Sequence, residues 1–396
     1  MPPSHVLVLN SGSSSLKYQL LDMTRGETAA DPNPDPDAAP ERKATGIVEH
    51  IGEPTGPADN TEALETVADE LAARGAGLDS PDLAAIAHRV VHGGTRFTRP
   101  TLITDEVVAE IENLIPLAPL HNPANLTGVR VARRLRPDLP QVAVFDTAFH
   151  STMPQSAARY AIDRTVADEY GIRRYGFHGT SHAYVSRRTA RLLGKDPSEV
   201  NVIVLHLGNG ASASAVRGGV CVDTSMGLTP LEGLVMGTRS GDLDPAVIFH
   251  LTRVAGLSPD EVDILLNKRS GLLGLCGDND MREIGRRIAE GDEAAHLAFD
   301  VYTHRLRKYV GAYCAVLGRV DAVAFTAGVG ENSAAVRGAA LDGLEPLGIE
   351  IDAVRNAVRG SAERLVSTDT SRVAVAVVPT DEEREIAQQA YSLVRP

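Results

Sequence analysis

The chain opens on a short run of apolar β-formers, Val6 to Leu9, that gives way to small polar residues, Asn10-Ser11-Gly12-Ser13-Ser14-Ser15. It resumes as Leu16-Lys17-Tyr18-Gln19-Leu20-Leu21. Apolar β-formers on both sides of a Gly/Ser turn predict a β-hairpin. Thr61 to Arg74 instead places its apolar residues at helical spacing and is followed by Gly75 and Gly77, which predicts a helix with a glycine C-cap. Ala84 to Val91 and Val142 to Phe145 read as buried strands, the first leading into His92-Gly93-Gly94 and the second ending at Asp146. The Pro- and Asp-rich stretch 29–40 has nothing to bury and reads as a surface loop.

The pattern repeats. Val200 to Leu207 is again an apolar β run, followed by Gly208-Asn209-Gly210-Ala211-Ser212-Ala213-Ser214 and a second strand. Asn209 lies about half a chain length beyond Asn10. A third version is expected at Val320 to Phe325 with Thr326-Ala327-Gly328-Val329-Gly330-Glu331-Asn332-Ser333 after it. An echo at half length predicts duplicated α/β domains facing one another across a cleft. Any one of these turns, taken alone, is a plain hairpin connection.

Composition narrows the function. The 396 residues are 43% hydrophobic and 23% charged, ordinary for a soluble globular protein, and suffice for two or three domains. Aromatics make up 4% and Trp is absent, so the cores rest on Val, Leu, Ile and Ala. A net charge of −13 disfavours nucleic acid and anionic membranes as partners, and means that an anionic substrate needs local arginines or lysines. Cys221, Cys276 and Cys314 are widely spaced and read as reduced thiols. With no signal-peptide pattern and no apolar run long enough to span a bilayer, the expected location is cytoplasmic.

Small-residue turns suit phosphate, because only small residues let backbone N–H groups approach it closely. Lys17, just after Ser13 and Ser15, offers a point charge, and Asn10 offers a hard oxygen for a water-rich Mg²⁺. GxxxxGK[ST] does not occur, and no GxGxxG opens a helix after a strand.

Asn10 to Lys17 resembles the N-terminal signature of the acetate kinases. His88-Arg89-Val90-Val91-His92-Gly93-Gly94, Pro119 to Pro123, Phe145 to His150, Tyr175 to His182, His206 to Gly210, Asp223 to Gly227, Met236 to Asp242, Asn267 to Gly271 and Gly328 to Asn332 are similar to the same family in the same order. The likeness runs through to Asp381-Glu382-Glu383. It implies an α/β fold of duplicated ribonuclease-H-like (actin-like ATPase) domains with a central cleft. The expected division is 1–150, with a tail of about 382–396 packing back on it, and a nucleotide-binding domain at 151–381. The loop 29–40 looks longer than the family's, and Asp381 stands where the family usually has Asn.

The implied reaction is reversible, direct in-line transfer of a phosphoryl group from ATP to acetate, giving acetyl phosphate and ADP, with Mg²⁺ (Mn²⁺ may substitute). The resemblance puts Arg89 on the substrate carboxylate, Arg239 and His178 on the transferring phosphoryl group, and Asp146 in an orienting role. Acetate is already ionised at neutral pH and needs no strong base. His121 supports the site, and Val91, Phe177 and Pro230 form the methyl pocket. Ser13, Ser15, Lys17, His206, Leu207, Gly208, Asn209, Gly210, Asp280, Met281, Arg282, Gly328, Val329, Gly330, Glu331 and Asn332 are carried over as nucleotide contacts, and Asn10 and Glu382 as metal ligands. Read without the resemblance, Arg89 and Arg239 make surface salt bridges and Asp280 to Arg282 start a helix. The family suggests a homodimer. The alternatives are a propionate or butyrate kinase on the same scaffold, or an ATP-gated, chaperone-like module.

Overall fold

A computed structural model describes residues 3–12, 14–26, 40–119 and 121–395. Ser13 and almost all of the 29–40 loop lie outside the described residues. The chain divides into two compact units, Met1–Phe149 with Asp381–Pro396, and His150–Thr380. Among the described residues no helix is long and apolar enough to cross a membrane.

The first unit holds a six-stranded mixed sheet. β1 (His5–Ser11) and β2 (Ser15–Asp22) form the expected hairpin, in a register that sets Asn10 opposite Lys17. β3 (Glu41–Glu49) adds to β2, while β4 (Leu83–Val90) runs parallel to β1. The short β5 (Thr101–Leu102) forms the edge and pairs with β6 (Gln141–Phe145), giving the order β3-β2-β1-β4-β6-β5. Val6 to Leu9 of β1 are apolar without alternation because both faces are covered. Leu7 and Leu9 pack with Ala63, Leu64, Val67 and Leu71 of α1 (Asn60–Ala73) and with Val131 and Ala132 of α2 (Asn122–Leu135). Val6 and Val8 face the other way.

The second unit begins its chemistry at α3 (Gly179–Leu192), followed by β7 (Asn201–Leu207), β8 (Ala211–Arg217) and β9 (Val220–Thr224). α4 (Met281–Ala289) and the long α5 (Glu293–Leu317) lead to β10 (Ala322–Thr326), α6 (Ala327–Asn332) and α7 (Ala334–Leu341). β11 (Arg364–Leu365) and β12 (Ala374–Val377) complete the sheet order β11-β12-β10-β7-β8-β9. β7 pairs antiparallel with β8 and parallel with β10, as β1 pairs antiparallel with β2 and parallel with β4. The two sheets thus share one topology, and the half-length echo is a structural duplication. The last helix, α8 (Glu382–Val394), belongs to the first unit and brings Ile386, Ala387 and Ala390 against Val6 and Val8.

One expectation is corrected. The third strand does not turn into another strand. β10 runs straight into α6, with Thr326 at the N-cap and Ala327 at φ 63°. The reason is local: the Glu331 carboxylate accepts from the Ala327 N–H at 2.8 Å and closes a helical turn over Gly328 to Gly330.

Candidate active site

In the first unit, β4 and β6 are parallel neighbours, so Arg89 and Asp146 emerge side by side at their C-terminal ends. Arg89 Nε donates to both Asp146 oxygens (3.0 and 3.1 Å) and Nη2 donates to Oδ2 at 2.6 Å. Glu382 Oε2 lies 3.5 Å from the same Nη2. Burial works against the Arg89 charge, but Asp146 and then Glu382 outweigh it and raise its pKa above the ordinary value. Asp146 is 1% exposed. Arg89 is therefore held in place as one half of an ion pair, and its Nη1 makes no hydrogen bond to a described residue. This is not a solvated surface bridge.

α2 braces the backbone that follows. Asn125 accepts from Val91 N–H (3.0 Å) and donates to Ser11 O (2.7 Å). Asn122 accepts from His92 N–H (3.1 Å) and donates to His92 O. Asn125 ties the end of β4 to the end of β1 and Asn122 holds the backbone of His92, and the sequence reading missed both. Their placement in the first turn of a helix beside Pro123 was the available signal. His121 is the exposed N-cap residue of α2. Val91 is half-buried. Asn10 and Ser15 are half-buried on the hairpin and Lys17 is exposed. Asn10 and Glu382 supply hard oxygen donors on β1 and α8, which pack together, a donor set that fits a largely hydrated Mg²⁺.

In the second unit, His178 is the N-cap of α3 and holds φ 56°, ψ 27°, a left-handed conformation uncommon outside glycine. Its ring stacks on His206 with centroids 4.2 Å apart, and Nδ1 lies 2.9 Å from Ser212 Oγ. The β7–β8 turn is closed by Gly208 N–H donating to Gly210 O at 3.0 Å. A Cβ on Gly210 would lie 2.6 Å from Arg239 Nη2 and 3.5 Å from His178 Nε2. The missing side chain is what lets the guanidinium and the imidazole share one spot.

Arg239 differs from Arg89. Its Nη1 donates to Pro230 O at 2.7 Å, and among the described residues no carboxylate pairs with it. Burial lowers its pKa. A desolvated cation without a counter-charge is a site for an incoming anion. Pro230, expected in the methyl pocket, thus contributes a carbonyl that tethers Arg239. Phe177 is 2% exposed, and its carbonyl accepts from His150 Nε2 at 2.9 Å.

Most of the remaining expected residues of this unit line one cavity of about 1210 Å³, among them Gly208, Asn209, Asp280, Met281, Arg282, Gly328, Val329, Glu331 and Asn332. Gly237 N–H donates to Asn209 O and fixes the turn. Asp280 is the N-cap of α4 and pairs with the exposed Arg282, so the plain helix-start reading also describes these residues. Leu207 is fully buried in β7 and does not reach the cavity lining. Gly330 is buried one residue behind the lining, where its carbonyl accepts from Arg337. Glu331 uses one carboxylate oxygen on the Ala327 and Thr380 N–H groups, holding the loop as well as lining it. Arg337 was not foreseen. It is 1% exposed and donates to Gly330 O, Glu331 O, Asn356 Oδ1 and Asn356 O. Nothing local in the sequence marks it, because its partners come together only in the fold.

Comparison with known proteins agrees in both sequence and structure. The sequence model of the Acetokinase family matches residues 5–388. The chain is 69% identical over 412 residues to an acetate kinase of Streptomyces avermitilis, covering 100% of this chain and 98% of that protein. It is similar to the crystal structure of Porphyromonas gingivalis acetate kinase, with TM-score 0.90, 43% identity, and coverage of 99% of this chain and 100% of that one. A propionate kinase from Francisella tularensis matches with TM-score 0.87, 41% identity and 98% coverage of each chain. With a family match over nearly its whole length and this degree of identity, the chain belongs to the acetokinase family.

Proposed function

We propose that the protein transfers the γ-phosphoryl group of ATP directly to acetate, reversibly, giving acetyl phosphate and ADP. Family membership supports the reaction class. The observation that carries the reading is Arg239: a buried guanidinium without a carboxylate partner, beside His178 and next to the glycine turn that borders the large cavity.

The cavity residues hold the nucleotide, with Gly208 to Gly210 letting phosphate approach the backbone and Arg282 at the outer edge. Ser13, Ser15 and Lys17 serve the phosphates. Arg239 and His178 take up charge on the transferred group. Arg89, held by Asp146, binds the acetate carboxylate through its remaining donors, so Asp146 orients and does not accept a proton. His121 supports this end, and Val91, Phe177 and Pro230 bound the methyl group. Asn10 and Glu382 would hold Mg²⁺, or Mn²⁺ in its place, and when bound the ion neutralises phosphate charge.

A ligand-holding site of this kind in a chaperone-like ATPase would not need a second arginine for a carboxylate. The exposed Phe249 and Val254 (60% and 72%) lie on one short stretch and support a homodimer. The described cysteines are free thiols, which suits the cytoplasm.

The test is an acyl-phosphate assay with ATP and Mg²⁺ across acetate, propionate and butyrate, with product trapped as hydroxamate. The highest kcat/KM is expected for acetate, with propionate weaker by about tenfold, since one methylene is worth ~1–3 kcal/mol. A maximum at propionate or butyrate would reassign the substrate. ATP hydrolysis independent of any acid, with no trapped product, would replace the kinase reading altogether.

A further inference from the structure

His178 is joined through a single hydroxyl to a second histidine. Ser212, on β8, is fully buried, and its Oγ lies 2.9 Å from His178 Nδ1 and 2.7 Å from His182 Nε2. The two histidines reach one hydroxyl because they stand four residues apart, on one face of the first turn of α3. The His182 ring is buried, and its other nitrogen, Nδ1, has no hydrogen-bond partner among the described residues. Burial, and after it the neighbouring His150 and His206, holds His182 well below 6.5, so its ring is neutral at ordinary pH.

A neutral imidazole carries one N–H and one lone-pair nitrogen. If the His182 proton sat on Nδ1, a buried N–H would lack an acceptor. An orphaned buried N–H is rarer and costlier than an unused lone pair. The proton therefore belongs on Nε2, where it is donated to Ser212 Oγ. A serine hydroxyl has one proton to give, and the remaining neighbour is His178 Nδ1. His178 Nδ1 is then an acceptor, and the proton of the neutral ring stands on Nε2. That nitrogen lies on the side of Gly210 that Arg239 Nη2 also occupies.

We propose that His182 and Ser212 form a tautomer lock on His178, directing its Nε2–H as a hydrogen-bond donor at the transferring phosphoryl group. This rests on the reading of His178 given above. Ser212 and His182 are positioning residues. With the opposite tautomer, His178 would turn a lone pair toward phosphate oxygens and repel them.

The experiment is a long-range ¹H–¹⁵N spectrum of the full chain labelled with ¹⁵N-histidine, with His178 and His182 assigned by substitution. Both rings of the wild-type protein are expected to show a protonated Nε2 and an unprotonated Nδ1. Ser212→Ala should give His178 a mixture of tautomers and lower kcat by about tenfold, the scale of one hydrogen bond, with KM for ATP and acetate changed less than about twofold. Ser212→Thr, which keeps the hydroxyl, should restore the single tautomer and most of kcat. An Nδ1–H signature at either histidine of the wild-type protein overturns the lock, and needs no variant to fold. So does a fall in kcat in Ser212→Ala with the His178 tautomer unchanged. His178→Ala separates the two claims: full activity there, with the expected tautomers in the wild type, would remove His178 from the phosphoryl group and leave the lock standing.

Discussion

Gly210 and Arg239 approach so closely that a Cβ at position 210 would lie 2.6 Å from Arg239 Nη2. The atom in the way is the far end of a flexible side chain, so the fold can yield where the site cannot. Gly210→Ala is expected to lower kcat by about 10²-fold, since a displacement of about 1 Å at the reacting groups carries that cost. Its thermal unfolding should change little. Arg239→Ala should lose about 10³-fold in kcat with KM for ATP nearly unchanged. Steady-state kinetics beside thermal melts checks both, and a Gly210→Ala enzyme with normal kcat would show that Arg239 need not stand there.

Arg89 and Asp146 make a partly buried pair, 20% and 2% exposed at the side chain. Removing one partner strands the other. Asp146→Ala should cost about 3 kcal/mol of unfolding free energy in urea, and Arg89→Met in the same background should recover part of it. Both variants should lose activity on acetate. Additive losses in the double variant would mean that the pair is not coupled.

Arg337 lines the cavity and holds the carbonyls of Gly330 and Glu331. Arg337→Lys keeps the charge but cannot reproduce four hydrogen bonds in one plane. A rise in KM for ATP of about tenfold and a loss of about 2 kcal/mol in stability are expected. Nucleotide titration of the purified variant reads the first, and urea unfolding the second.

His88, His92 and His150 are buried, and burial lowers each to about 4 from 6.5. The unfolded chain takes up their protons first, so stability is complete above about pH 6.5 and falls as the pH drops toward 4. Each ring contributes a slope of about 1.4 kcal/mol per pH unit within that window. His88→Gln should flatten the slope by one such step. Urea midpoints at several pH values measure it, and an unchanged slope would mean that His88 is protonated in the folded protein.

Much of the architecture is legible along the chain. The β1–β2 hairpin, the helix Asn60–Ala73 and the half-length echo follow from local pattern, because alternation and helical spacing act between near neighbours. The third glycine turn was misread because a strand-to-helix junction and a hairpin begin with the same residue types. What separates them at Ala327 is a carboxylate four residues on, reaching back to a backbone N–H. The alternation Ala211-Ser212-Ala213-Ser214 in a buried strand was a signal not used: serines facing a core need partners, and Ser212 has two histidines.

The sequence by itself determined the residue types, the two matching sheets and the family. Only the tertiary structure decided which arginine is neutralised. Arg89 meets Asp146 because β4 and β6 are neighbours, across 57 residues of chain, whereas Arg239 is tethered by a carbonyl and keeps its charge open. Charge pairing depends on distance and burial, and both are set by which strands lie side by side, a relation that no local pattern of residues encodes.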